Sequence, residues 1–265
     1  MRIMIMTDIE GVAGVSTPTA DTSPGGSNYL NSKRLLTEEV NAAVRGFLKA
    51  GATELMVFDG HGSGAIDFET LESPATLIHG RPLPPITWLI EQLSSRVDAV
   101  CHVGQHAMAG VRDGNLNHTQ NSVEVLSYRL NGRLIGEIAQ FALLAGEFGL
   151  PHIFLSGDAA ACREAEELNP RVVTAAVKEG LGRTSALTLN AHDARTLIEK
   201  QAEKALRQHL AEPIPPLRWP APYVLQKTFL HTDVADSALG ASRFSMPDSH
   251  TIEIRGETIA EVIYQ

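Results

Sequence analysis

Short apolar runs alternate with longer amphipathic segments through the first 170 residues of the chain. Arg2–Thr7, Glu54–Phe58, Asp98–Val103 and His152–Leu155 read as buried strands. Leu36, Val40, Ala43, Val44, Phe47 and Leu48 recur at helical spacing, and Gly51 follows as a helix stop. Ile86–Leu93, Leu134–Phe148, Ala159–Leu168 and Ala191–Leu210 also read as helices, and Thr76–His79 as a short strand. The pattern predicts an α/β fold, a mostly parallel central sheet flanked by helices. Ser122–Leu130 departs from it with a period of two, and Asn131-Gly132 is a hairpin turn signal, so an antiparallel strand is expected there. Prolines 213, 215, 216, 220 and 222 interrupt the chain. They place an α/β domain over 1–212 and a smaller α+β portion over 213–265, separate or within the same domain. The last 40 residues read as strand, helix, strand and helix.

The 265 residues include 22 basic and 31 acidic ones, a net charge of −9 with His neutral. No basic run offers the footprint that phosphate binding needs, so nucleic acid and anionic membranes are not expected partners. A solvated acidic face accounts for the charge as readily as a bound cation does. The apolar run at Met1–Met6 is short and ends in Asp8 and Glu10, unlike a signal segment, and no stretch reaches the roughly 18 apolar residues of a membrane span. A cytoplasmic location is the expectation. Cys101 and Cys162 lie in apolar or Ala-rich runs outside any CxxC and read as small buried hydrophobes.

In an open parallel sheet, ligands bind beyond the carboxyl ends of the strands. Asp8 and Glu10 follow the first strand, Asp59 and His61 the second, and His106 the third. Carboxylate with imidazole suits a divalent ion such as zinc. Each residue also has a plainer reading. Asp8 can be a loop cap, though Glu10 two residues on puts a second carboxylate beside it, and like charges so close call for a cation or a proton. His61 on a Gly-rich turn can be solvated, and Asp59 is a candidate to orient a ligand imidazole. His102, inside the strand, reads as a sheet-face residue. His118 can be a ligand, a general base or a surface group. Glu137 heads a segment apolar nearly all round, where a buried carboxylate wants a partner, while a helix dipole offers it a few tenths to about 1 kcal/mol. HExxH, GxSxG and GxxxxGK[ST] motifs are absent. Gly60-His61-Gly62-Ser63-Gly64 is not followed by a ten-residue amphipathic helix, which argues against a dinucleotide site.

Assembled, the motifs resemble the D-aminopeptidases of the dipeptide-transport operon type, peptidase family M55. The match runs from Met1 to about Arg218. It includes Asp8-Ile9-Glu10-Gly11, Thr37-Glu38-Glu39, Asp59-Gly60-His61, Gly104-Gln105-His106-Ala107, Asn117-His118, Asn131-Gly132-Arg133 before Gly136-Glu137, Gly157-Asp158 and Thr174–Lys178, in the family's order. Gly110–Asn115 is less like it. The resemblance implies a dinuclear zinc aminopeptidase, with two Zn2+ per chain, that hydrolyses the N-terminal peptide bond of short peptides with D-residue preference. It implies Asp8, Glu10, His61, His106 and Glu137 as metal ligands and His118 as the catalytic residue. Of the two carboxylates after the first strand, Asp8 lies deepest on it and is favoured over Glu10 as the one shared by two ions. The resemblance further implies a ring-stacked homodecamer with active sites on an inner chamber. Two rival readings remain: a metal-dependent amidohydrolase of another small amide, separable by a substrate panel, and a non-catalytic α/β binding protein, which would hold no stoichiometric metal.

Overall fold

The computed structural model of the protein describes residues 1–237, 240–241 and 243–265. β1 (Arg2–Thr7) leads to α1 (Tyr29–Lys49), β2 (Glu54–Asp59), β3 (Thr76–Ile78) and α2 (Ile86–Leu93). β4 (Ala99–Gln105), β5 (Val125–Leu130), β6 (Arg133–Ile135) and α3 (Glu137–Glu147) follow. Then come β7 (His152–Asp158), α4 (Ala159–Leu168), β8 (Val173–Gly182), β9 (Ser185–Thr188) and α5 (Ala191–Ala211). β10 (Tyr223–Phe229), α6 (Thr232–Asp236), β11 (Phe244–Asp248), β12 (Thr251–Gly256) and α7 (Ile259–Val262) end the chain.

The expected α/β architecture is present. The larger sheet runs β3-β2-β1-β4-β7-β8-β9 and is parallel except at β8–β9. The chain steps outward in one direction from β1 and in the other from β4. The carboxyl ends of β1 and β4 therefore flank the switch point where a doubly wound sheet opens a crevice. Strand alternation divides the core. Ile3, Ile5, Cys101 and Phe154 pack with Phe47 of α1 and Ile198 of α5 on one face. Met4 and Val100 pack with Phe141 of α3, Leu130, Leu225 and Ile254 on the other. Covered on both faces, β1, β4 and β7 read as continuous apolar runs, which is why they were legible. The Phe47 and Phe154 rings meet edge to face at 5.9 Å, and truncating such a buried Phe costs about 3–5 kcal/mol.

The second sheet, β11-β12-β10-β5-β6, is antiparallel throughout. It takes β5 and β6 from the middle of the chain and β10–β12 from beyond residue 212. Asn131 and Gly132 turn the β5–β6 hairpin at φ +49 and +79, the paired positive values that a tight hairpin with right-handed twist needs. That hairpin corrects one expectation. The helix read over Leu134–Phe148 begins only at Glu137, because Leu134 and Ile135 pair with Arg129 and Tyr128. In the last 40 residues the third element is the β11–β12 hairpin rather than a single strand. β8 and β9 were not foreseen as strands, since Ala175, Ala176, Gly180 and Gly182 carry little strand propensity. Both cysteines are free and buried. Among the described residues no helix is long and apolar enough to cross a membrane.

Candidate metal centre

At the switch point two loops come into close contact. The Asp8 N–H donates to Val103 O at 3.0 Å and the Gly11 N–H to Gly104 O at 2.7 Å. Gly104 has φ +79, and a Cβ there would collide with Asp8 O. The register between β4 and β7 also shifts at this point. Only glycine permits this turn, which swings His106 across the mouth of β1.

Asp8, Glu10, His61, His106, His118 and Glu137 all converge here. Asp8 divides its carboxylate: Oδ1 lies 3.2 Å from His61 Nδ1 and Oδ2 lies 3.1 Å from His106 Nε2. Glu10 Oε2 is 3.2 Å from the same His61 nitrogen. Glu137 Oε1 is 3.6 Å from His106 Nε2 and 4.0 Å from His118 Nε2. The His106 and His118 rings stack with centroids 4.0 Å apart. Each imidazole has its other nitrogen at a backbone carbonyl: His61 Nε2 at Thr22 O, His106 Nδ1 at Ala107 O and His118 Nδ1 at Leu116 O, at 2.8, 2.9 and 2.9 Å. Each outer nitrogen is thus placed to donate, which fixes the ring and turns its inner nitrogen toward the carboxylates, the orientation by which an outer hydrogen bond presents a histidine to a metal site. Asp59 does not orient His61; its Oδ1 accepts from Ala65 N at 2.8 Å and shapes the turn instead. His102 is a buried sheet-face residue, as read, with Nδ1 3.0 Å from His152 Nε2.

The charge balance of the cluster asks for a cation. Burial opposes ionisation of Asp8, but His106 and His61 close beside its two oxygens hold it well below the usual carboxylate range. Burial and the charge of Asp8 push Glu10 up to about 7. Burial likewise raises Glu137. Burial would lower His61 and His106, yet the surrounding carboxylates raise them to about 11 and about 10. The metal-free cluster therefore recruits protons to offset its carboxylates, the role a divalent ion fills. Glu10 Oε2 and His106 Nε2 are buried without a partner in hydrogen-bonding geometry, although charged atoms lie 3.1–3.2 Å away. Close approach at poor hydrogen-bond angles fits donors that share an ion. Among the described residues, Asp8–Glu10–His106 and His106–His118–Glu137 are the groups that could hold one. Burial and the neighbouring His106 charge push His118 down to about 3, so it stays neutral.

The supporting residues were harder to read. Leu116 and Gln120 flank His118 at φ +55 and +63, a local strain of roughly 1–3 kcal/mol each that tends to gather at functional sites. The Gln120 N–H donates to Glu137 Oε1 at 2.7 Å. Lys178, the last residue of the Thr174–Lys178 motif, is buried and donates to Glu10 O, Val15 O and Asn115 Oδ1, tying down the loop that carries Glu10. Glu164 on α4 accepts from Met108 N at 3.0 Å, and its other oxygen occupies the space a Cβ on Gly136 would take. One carboxylate thus braces both the His106 loop and the start of the Glu137 helix. Tyr264 lines the cleft from beyond α7. Nothing in the sequence points to Glu164 or Tyr264.

The model for the Peptidase M55 family, described as D-aminopeptidase, matches residues 1–264. A D-aminopeptidase of Bacillus subtilis (strain 168) is 32% identical over 218 residues, covering 82% of this chain and 78% of that protein. Among solved structures, the Zn-dependent D-aminopeptidase DppA from Bacillus subtilis, a self-compartmentalizing protease, superposes with a TM-score of 0.91 at 27% identity, covering 98% of this chain and 93% of that one.

Proposed function

The chain belongs to the M55 family of D-aminopeptidases, and from that premise we propose that it is a zinc-dependent aminopeptidase releasing the N-terminal residue, of D configuration by preference, from short peptides. The observation that carries the reading is the divided carboxylate of Asp8, one oxygen toward His61 and the other toward His106. A carboxylate so placed would be able to hold two ions. Glu10 and His61 would complete the binding set on one side, and His106 and Glu137 on the other. Zinc held there supplies Lewis acidity to the scissile carbonyl and to the attacking water. His118 is neutral, with Nε2 open toward the cleft and Nδ1–H fixed on Leu116 O. It is placed to move a proton during attack and departure of the leaving amine. Its Nε2 stands 4.0 Å from the nearest carboxylate, farther than His61 or His106, which favours this role over a ligand's. A homo-oligomer is supported by the self-compartmentalizing relative and by exposed Val123, Leu126 and Leu134 around the second sheet, and a homodecamer is the form proposed for it.

The test is zinc content and turnover of D-aminoacyl peptides, measured on wild type and His118→Ala. Wild type should carry about two zinc ions per chain. His118→Ala should keep them and lose roughly 10²–10⁴-fold in rate, the range for a lost general acid–base. Loss of one zinc makes His118 a ligand instead. Metal-free wild type that added zinc cannot activate overturns the reading.

A further inference from the structure

We propose that Arg81 is a positioning residue for the metal centre: its guanidinium gathers the carbonyls of the turn that carries His61 and so sets where that imidazole meets Asp8 and Glu10. The proposal deepens the aminopeptidase reading and rests on it for the zinc. Three of the five residues from 60 to 64 are glycine, so the turn has few side chains to fix it and much backbone freedom to lose. Asp59 Oδ1 accepts from Ala65 N at its base. Tyr29 Oη holds its far end, 2.8 Å from Ser63 Oγ and 2.5 Å from Gly64 O. The near half, where His61 stands, is held by Arg81. Nη2 donates to Asp59 O at 2.9 Å and also to His61 O, and Nε donates to Gly62 O at 2.8 Å. Nη1 donates to Gly80 O at 2.6 Å, which anchors the guanidinium on its own segment.

One planar fork thus takes the carbonyl of His61 together with one before it and one after it. Fixing these carbonyls fixes the direction of the His61 Cα–Cβ bond, and the ring then meets its partners from a set origin. Its Nε2 lies 2.8 Å from Thr22 O, and its Nδ1 lies 3.2 Å from both Asp8 Oδ1 and Glu10 Oε2. Arg81, Gly60 and Gly62 are exposed. Water can therefore take over the carbonyls when the guanidinium is removed, so the fold loses little and the fixed position is what goes. A lysine keeps the charge but not the fork. Its ammonium is one compact centre on a flexible stem and cannot meet carbonyls on both sides of His61 in the same geometry.

The test uses the full chain with Arg81→Ala and with Arg81→Lys. It measures zinc affinity by chelator competition, and amide exchange and melting temperature on the metal-free protein. In both variants one of the roughly two zinc ions expected per chain should bind about 10–100-fold more weakly, as when the support of a ligand is lost. The other ion and the melting temperature should stay as in wild type. In metal-free Arg81→Ala the Gly64 N–H, which donates to His61 O at 2.8 Å, should exchange about tenfold faster. Wild-type zinc affinity in Arg81→Ala overturns the proposal. Wild-type affinity in Arg81→Lys shows a charge at work in place of the fork and overturns it as well. Equal weakening of both ions with a lowered melting temperature makes Arg81 a support of the fold alone, which also overturns it. If wild type binds no zinc, the aminopeptidase reading falls and Arg81 is judged by exchange. Unchanged Gly64 exchange in Arg81→Ala then overturns its positioning role, and faster exchange sustains it.

Discussion

Asp8, Glu10 and His61 are held by the ends of two adjacent parallel strands, whereas Glu137 and His118 are held by a helix start and a loop that the second sheet props against the first. The first set sits on backbone locked on both sides by ladders, as in Thr7↔Asp59 and Thr7↔Val103. The second depends on a hairpin turn at Asn131-Gly132, on two residues at positive φ around His118, and on Glu164 bracing two segments at once. The first half of the centre is therefore rigid through its sheet, and the second is assembled by contacts between layers. Glu137 meets His106 and His118 through one oxygen, whereas Asp8 turns a separate oxygen to each of two imidazoles.

Variants can break this asymmetry. Asp8→Ala should have the largest effect, removing the group shared by both halves. Zinc should fall from about two ions per chain to near zero, and turnover on the order of 10³-fold, the worth of several kcal/mol of transition-state stabilisation. One ion retained would mean Asp8 serves only one half. Glu137→Ala should empty only the interlayer half, leaving about one zinc per chain by elemental analysis; loss of both would mean the halves do not bind independently. A paired comparison comes next. Lys178→Met should weaken zinc binding on the Glu10 side and Glu164→Ala on the Glu137 side, each by about 10–100-fold, as lost supports of ligands do. Chelator competition reads this, and equal loss at both positions in either variant would undo the division.

Glu39 gives the smallest effect, on stability alone. Burial raises it from 4.5 to about 8, and its Oε1 accepts from Ala13 N while Oε2 has no partner. The folded state holds this proton more tightly than the unfolded one. Its contribution is thus complete below about 4.5 and is lost as pH rises through about 8. Glu39→Gln should flatten the fall in melting temperature across that window and stabilise at its alkaline end by about 1–3 kcal/mol. An unchanged slope would show that Glu39 is not the group responsible.

The same asymmetry explains what could be read. Asp8, Glu10, His61 and His106 each follow an apolar strand by a few residues, so strand recognition and the sheet-end rule were enough to pick them out. Glu137 was visible as a carboxylate heading an apolar helix, although Gly136 and the hairpin, rather than helical periodicity, set where that helix starts. His118 was ambiguous because its setting is a loop without period. Lys178 and Glu164 act on residues 168 and 56 positions away, Tyr264 reaches the cleft from beyond α7, and no local pattern encodes such contacts.

Local chemistry in the sequence determined the alternating strands and helices, the hairpin turn, the acid and histidine residues at strand ends and the family likeness, because periodicity, turn residues and motif order act over a few positions. Tertiary structure alone decided that the chain reverses direction between β1 and β4, that β5 and β6 join strands from beyond residue 212, and that one Asp8 carboxylate faces two imidazoles. Those depend on which buried faces meet and how closely two glycine-bearing loops can pass. Such distances are fixed by packing across the whole molecule.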